Sequence, residues 1–220
     1  MKTIYVVGGN GFAKECYNYI RILSEKTHEI QFGGFLGHNG YVVDFFDLNG
    51  FFKGDVADYV FVDGEYAVIG AGYPELRYKI YCDLKQRGIP LYNLIADGCE
   101  LNPYVEMGEG NVFAPPFLAS VHMKIGNGNV FNGGVNVGHD DVIGNFNFFA
   151  PRSQILGSVQ IGDFNSFGAN AILLPHAKIG NNNVISPLSC VYRGCKNNAR
   201  MHGNPAVKIG EVETIIERIF

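Results

Sequence analysis

Two architectures follow one another in this sequence: an α/β domain on a small parallel sheet over residues 1–97, and a parallel β-helix over residues 98–220. Three observations predict them. Aliphatic-glycine pairs recur every 18 residues through the second half. Apolar residues fall at six-residue steps between those pairs. The first half alternates short β-branched runs with helix-like stretches, the pattern of strands joined by crossover helices.

In the first half, residues 4–7 form a β-branched run followed by Gly8, Gly9, Asn10 and Gly11, and then by a helical stretch over about residues 12–24. Strand, glycine turn and helix in that order place backbone N–H groups at a helix N-terminus, where a phosphate is well received. A second strand is expected over residues 30–36 and a third over 66–70. Pro74 suits a helix start, Leu76, Ile80 and Leu84 share one face, and Gly88 suits its end. Residues 91–95 read as a fourth strand, which makes the domain Rossmann-like. Residues 38–65, rich in Phe, Tyr, Gly and Asp, match neither period. The dinucleotide fingerprint fails, because Lys14 stands where its third glycine belongs and no acidic residue ends the second strand. The turn is left with two readings, a cradle for the phosphate of a nucleotide or nucleotide sugar, or a purely structural bend.

Residues 96–100 (Ala-Asp-Gly-Cys-Glu) break the pattern before the repeats begin. Met107, Ile125, Ile143, Ile161 and Ile179 each precede a glycine. Six residues on stand Phe113, Phe131, Phe149, Phe167 and Ile185, and six further Ala119, Val137, Ile155, Leu173 and Val191. A strand repeats every two residues and a helix every 3.6. A period of six nested in eighteen is a three-sided coil, each side pointing one apolar residue inward, with successive coils stacked at the strand spacing of about 4.8 Å. Glycine is expected to ease the corners. The column Asn111, Asn129, Asn147, Asn165, Asn183 is either a side-chain ladder or a set of turn residues.

Composition excludes several classes. The net charge of -4 offers no basic groove for nucleic acid. No run of eighteen apolar residues could span a membrane, and the opening residues lack a signal-peptide h-region, so a cytoplasmic protein is expected. Five cysteines without a C-x-x-C pair suit neither a disulfide framework nor a structural zinc site.

The chain resembles the hexapeptide-repeat sugar acyltransferases of the sialic acid O-acetyltransferase type, and within them bacterial N-acetyltransferases of nucleotide-linked amino-deoxy sugars. The resemblance rests on V-V-G-G-N-G-F-A-K-E at the start, G-F-L at residues 34–36, V-I-G-A-G followed by Leu76-Arg77, H-D-D-V-I-G at residues 139–144, the coils, and G-N-P-A at residues 203–206. It implies that the coils wind left-handed, which the period alone does not say. It also implies an acetyl-CoA cosubstrate without metal, a nucleotide-sugar acceptor, a homotrimer, and a place in surface polysaccharide biosynthesis. The chain departs from relatives after G-F-L, where Gly37-His38 replaces acidic residues, at the entry to the coils, and at Phe148, where some relatives carry a second histidine.

An amine or hydroxyl attacking a thioester must lose a proton, and histidine is the natural acceptor. His139 lies four residues before Ile143, near a corner, and should project outward. Asp140 or Asp141 can hold its tautomer; the resemblance selects Asp140. Gly157, 18 residues beyond His139, is either an oxyanion donor through its N–H or a plain corner glycine. The resemblance assigns Ala169 and Pro187 to the coenzyme groove, and Gly8, Gly9, Asn10, Gly11 and Gly70 are the candidates for holding the acceptor. His122 and His176 share a corner three coils apart, too far to share a metal. O-acetylation of a sialic acid or similar sugar and a non-catalytic scaffold are the alternative functions.

Overall fold

The computed structural model describes residues 1–9, 11–38 and 50–213, and the chain divides into two compact units, Met1–Asp97 and Gly98–Phe220. Asn10 and residues 39–49 lie outside the described residues.

The first unit is a four-stranded parallel sheet of β1 (Lys2–Val7), β2 (Ile30–Gly37), β3 (Phe52–Asp55) and β4 (Glu65–Ile69), in the order β3-β2-β1-β4. β1 lies inside the sheet, so Ile4, Tyr5, Val6 and Val7 are all buried. This is why it reads as an unbroken apolar run rather than an alternating one. Helix α1 (Gly11–Thr27) buries Ala13, Cys16 and Ile20, one stripe at helical spacing. Helix α2 (Pro74–Gln86) has Pro at its start and a Schellman end: Ile89 N–H donates to the Leu84 carbonyl at 2.9 Å and Gly88 N–H to that of Lys85 at 3.0 Å, with Gly88 at φ 69°.

Two expectations for this unit are corrected. The fourth strand is Phe52–Asp55, within the stretch that carried no period; it is short, and a shift of register interrupts its pairing with β2. Leu91 makes only one parallel bridge, to Ala67, with the Pro90 carbonyl accepting from Ala67 N–H, and strand β5 (Leu94–Ile95) stands outside this sheet. The buried face of α2 is Pro74, Arg77, Ile80 and Leu84, so Leu76 is only partly buried and an arginine takes the core position.

The second unit is a left-handed parallel β-helix. Strands such as Val142–Ile143, Gln160–Ile161 and Lys178–Ile179 form its first face; Val130–Phe131, Phe148–Phe149 and Ser166–Phe167 its second; Asn136–Val137, Gln154–Ile155 and Ile172–Leu173 its third. Each pairs with the strand eighteen residues on. The rings of Phe113, Phe131, Phe149 and Phe167 stack down the axis with centroids 4.9, 4.7 and 4.7 Å apart and tilts of 5° or less. That separation is the strand spacing itself, and each buried ring stabilises the column by about 1.5–3 kcal/mol.

The buried asparagines form a ladder. Asn129, Asn147, Asn165 and Asn183 each donate Nδ2 to the Oδ1 of the asparagine one coil back, at 2.9–3.1 Å, and each of those Oδ1 atoms also accepts the backbone N–H. A second ladder runs through Asn127, Asn145, Asp163 and Asn181, two residues earlier in the same corner. This second ladder explains the aliphatic-glycine pairs: a β-carbon on Gly126 would stand 2.5 Å from Asn145 Oδ1, and one on Gly162 2.1 Å from Asn181 Oδ1. These glycines are required by space. The left-handed backbone is carried largely by other residues, among them Asp140, Phe146, Arg152 and Ser158.

Candidate active site

His139 stands where the third face turns into the first. Its approach is constrained on both sides. A β-carbon at Gly138 would meet Gly157 N at 2.6 Å, so the coils touch there. Asp140 adopts φ 59°, and its N–H donates to the Val121 carbonyl at 3.0 Å, while the His139 carbonyl accepts from Ser158 N–H at 2.8 Å. The backbone carrying the imidazole is thus tied to the coil before and the coil after. Both side chains are more than half exposed.

His139 Nδ1 lies 2.7 Å from Asp140 Oδ2. An ionised carboxylate only accepts, so Nδ1 carries the hydrogen and Nε2 keeps its lone pair. The imidazole extends over Gly157, where a β-carbon would stand 2.6 Å from Nε2 and 2.7 Å from Cε1. No other residue type fits beneath the ring without displacing it. Among the described residues, Gly157 N–H donates no hydrogen bond. An imidazole, the carboxylate that meets its Nδ1 and an unused N–H donor therefore lie together on one corner.

Asp141 turns the other way. It is fully buried, and its Oδ1 accepts Val159 N–H at 2.7 Å. Burial pushes its pKa up to about 6 from 3.8, opposed by the Val159 N–H, by the nearby Gly138 N–H and by the charge of His139. Of the two candidate partners for His139, the structure brings Asp140 to the imidazole.

Ala169 and Pro187 stack one coil apart at the corner joining the second and third faces, with Leu188 N–H donating to the Ala169 carbonyl at 3.0 Å. They sit across the third face from His139 and are not gathered to it within one chain. His122, Asp140, Ser158 and His176 share a corner column in left-handed backbone, and Tyr104 stacks on His122 at 5.4 Å. Among the described residues no group of His, Cys, Asp and Glu could hold a metal ion.

In the first unit, Gly8 and Gly70 meet at the carboxyl ends of β1 and β4. Strand order reverses there, the usual place for a ligand crevice in an open α/β sheet. Gly8 has φ 139° and a β-carbon on it would stand 3.0 Å from Gly70 backbone; one on Gly70 would meet Ala13 Cβ at 2.8 Å. Close approach of strand ends and helix therefore accounts for both. Gly9 precedes and Gly11 opens α1, while Asn10 lies outside the described residues. One residue was not foreseen. Arg77, fully buried, donates Nη1 to the Ile69 and Ala71 carbonyls at 2.7 and 2.8 Å, pinning the turn on either side of Gly70. A charged residue three before Ile80 and seven before Leu84 was the available signal.

No protein-family model matches the chain, and no curated protein matches it. Solved structures share its fold. WeeI from Acinetobacter baumannii AYE is 24% identical, with a TM-score of 0.81 over 95% of this chain and 100% of that one. The acetyltransferase domain of PglB from Neisseria gonorrhoeae FA1090, in complex with acetyl coenzyme A, is 18% identical, with a TM-score of 0.84 over 94% of this chain and 99% of that one. PerB from Caulobacter crescentus, in complex with CoA and GDP-perosamine, is 21% identical, with a TM-score of 0.81 over 96% of this chain and 98% of that one.

Proposed function

We propose that this protein transfers the acetyl group of acetyl-CoA to the amino group of a nucleotide-linked amino-deoxy sugar, with His139 as general base. The observation that carries the proposal is the corner itself: an imidazole held at Nδ1 by Asp140, with Nε2 lying over a glycine whose N–H is unused. The molecules named with the structural neighbours, acetyl coenzyme A in one and CoA with GDP-perosamine in another, support the choice of donor and acceptor class.

Acetyl-CoA supplies the thioester. His139 Nε2 takes the proton from the amine as its nitrogen attacks the acetyl carbonyl, and a C–N bond forms. Gly157 N–H donates to the carbonyl oxygen as charge develops on it. Asp140 stabilises the imidazolium. The C–S bond then breaks, and His139 returns the proton to the departing sulfur, giving the N-acetyl sugar and free CoA thiol. No covalent enzyme intermediate is required.

The acceptor's phosphates are assigned to Gly8, Gly9, Asn10 and Gly11 at the start of α1, with Gly70 beside them. Ala169 and Pro187 lie on a corner separate from His139, which favours a homotrimer in which neighbouring copies complete the coenzyme groove. All five cysteines are free, in keeping with the reducing cytoplasm. The product is assigned to surface polysaccharide synthesis.

The test is thiol release and product mass with acetyl-CoA and a panel of GDP-, UDP- and dTDP-linked amino-deoxy sugars, with free sialic acid alongside. Release with one nucleotide amino sugar is expected. Release with sialic acid alone would replace N- by O-acetylation. No release with any acceptor would leave a scaffold and overturn the proposal.

A further inference from the structure

The corner that carries His139 holds a second carboxyl the mechanism does not use. Asp141 occupies a column otherwise lined by Met123, Val159 and Ala177, all buried and apolar. Its role in the coil is that of a ladder asparagine. Asn129 and Asn147 accept, through Oδ1, the backbone N–H eighteen residues on, and donate Nδ2 to the carbonyl fifteen residues on. Asp141 Oδ1 does the first of these, accepting Val159 N–H at 2.7 Å. It cannot do the second as a carboxylate. Its other terminal atom is an oxygen, fully buried, with no hydrogen-bond partner of ordinary geometry, the nearby Gly138 N–H being directed to the Ile155 carbonyl at 2.8 Å. An asparagine would satisfy this position better, so a carboxyl here is a cost to the fold.

We propose that Asp141 is a positioning residue for His139: a buried carboxyl that ties the coil carrying the imidazole to the coil carrying Gly157, and whose charge state is coupled to that of the imidazole. The inference rests on the reading of His139 as the base. The tie is direct, since Val159 follows Gly157 by two residues and Asp141 follows His139 by two. The charged groups facing Asp141 are few. His139 and Asp140 share its corner; His122 and Lys124 come from the coil before, the Lys124 ammonium lying 3.6 Å from Glu106; Gly157, Ser158 and Val159 on the coil after carry no ionisable side chain. Protonated His139 favours the ionised form of Asp141 and ionised Asp140 opposes it.

The test uses the full chain with carbon-13 label in aspartate, following the Asp141 carboxyl by NMR as pH is varied. The wild type is expected to titrate near pH 6, and His139→Gln to move that midpoint upward by about half a unit or more. A wild-type midpoint in the ordinary aspartate range of about 4, or one indifferent to His139→Gln, overturns the coupling. The tie is read by kinetics. Asp141→Asn keeps the acceptor for Val159 N–H, whereas Asp141→Ala removes it, so kcat should fall about tenfold further in the alanine variant, with the acid limb of the rate profile displaced in the asparagine variant. Equal kcat in both variants overturns the tie. Wild-type protein that releases no thiol with any acceptor counts against the acetyltransferase reading instead, and the NMR titration still decides the coupling.

Discussion

Replacing Gly157 by alanine probes the geometry of the proposed centre most directly. A β-carbon at this position would stand 2.6 Å from His139 Nε2 and 2.7 Å from Cε1. Carbon and nitrogen rest at about 3.5 Å, so the imidazole edge must retreat by roughly 0.9 Å. It has room to do so, because the His139 side chain is 60% exposed. The retreat strains the bond to Asp140, now 2.7 Å, and carries Nε2 away from the Gly157 N–H. A misplacement of about 1 Å at reacting groups costs about 100-fold in rate, or about 2.7 kcal/mol. The backbone itself tolerates alanine, since Gly157 is not among the positive-φ residues. The expected result is a fall in kcat of about 100-fold in a thiol-release assay, with the melting temperature within about 2 °C of wild type, less than about 1 kcal/mol. Wild-type kcat in Gly157→Ala would refute the placement of the base. Loss of activity together with the fold would show that the glycine serves the coil rather than the imidazole.

Further outcomes follow from the same geometry. His139→Ala should lower kcat about 100- to 10,000-fold without changing the circular dichroism spectrum. Asp140→Asn leaves a partner at Nδ1 but removes the charge facing the imidazolium, and a loss of about 10- to 100-fold in kcat is expected from steady-state kinetics, less than in a buried triad because the pair is exposed. Asn147→Ala removes the middle of the buried ladder, leaving Asn165 N–H and Asn129 Oδ1 short of partners, and urea unfolding should show a loss of about 2–4 kcal/mol. Asp141 binds its proton more tightly in the native state, so its contribution declines as pH rises from about 4 to about 6. At about 1.4 kcal/mol per pH unit this approaches 3 kcal/mol. Asp141→Asn removes the decline, so its melting temperature relative to wild type should rise over that interval and level off above it.

Much of the fold was legible in the chain. The eighteen-residue period places Phe113, Phe131, Phe149 and Phe167 in one column because a coil repeats every core position in its own sequence. The outward position of His139 follows from the same phase. The glycine pairs were legible as corners but not for the right reason: their need is room for Asn127, Asn145 and Asp163 in the next coil, a contact between coils rather than a local dihedral. β3 was hidden because an edge strand of four residues, with Phe52, Lys53, Gly54 and Asp55, buries little and shows no alternation. Arg77 was not legible as a core residue, because a helix face ordinarily assigns arginine to solvent.

By itself the sequence determined the three-sided coil, its core columns and the corner on which an imidazole stands, since each is a matter of period and phase. The resemblance points to Asp140 rather than Asp141, and only the tertiary structure shows the physical reason. They are adjacent in sequence, and the left-handed turn at Asp140 sends one carboxyl outward to His139 and the other inward to Val159. The eighteen-residue step puts Gly157 one coil on from His139, but how closely it lies under the imidazole is decided by packing, because the distance between coils is a property of their stacking and is written at no single position of the chain.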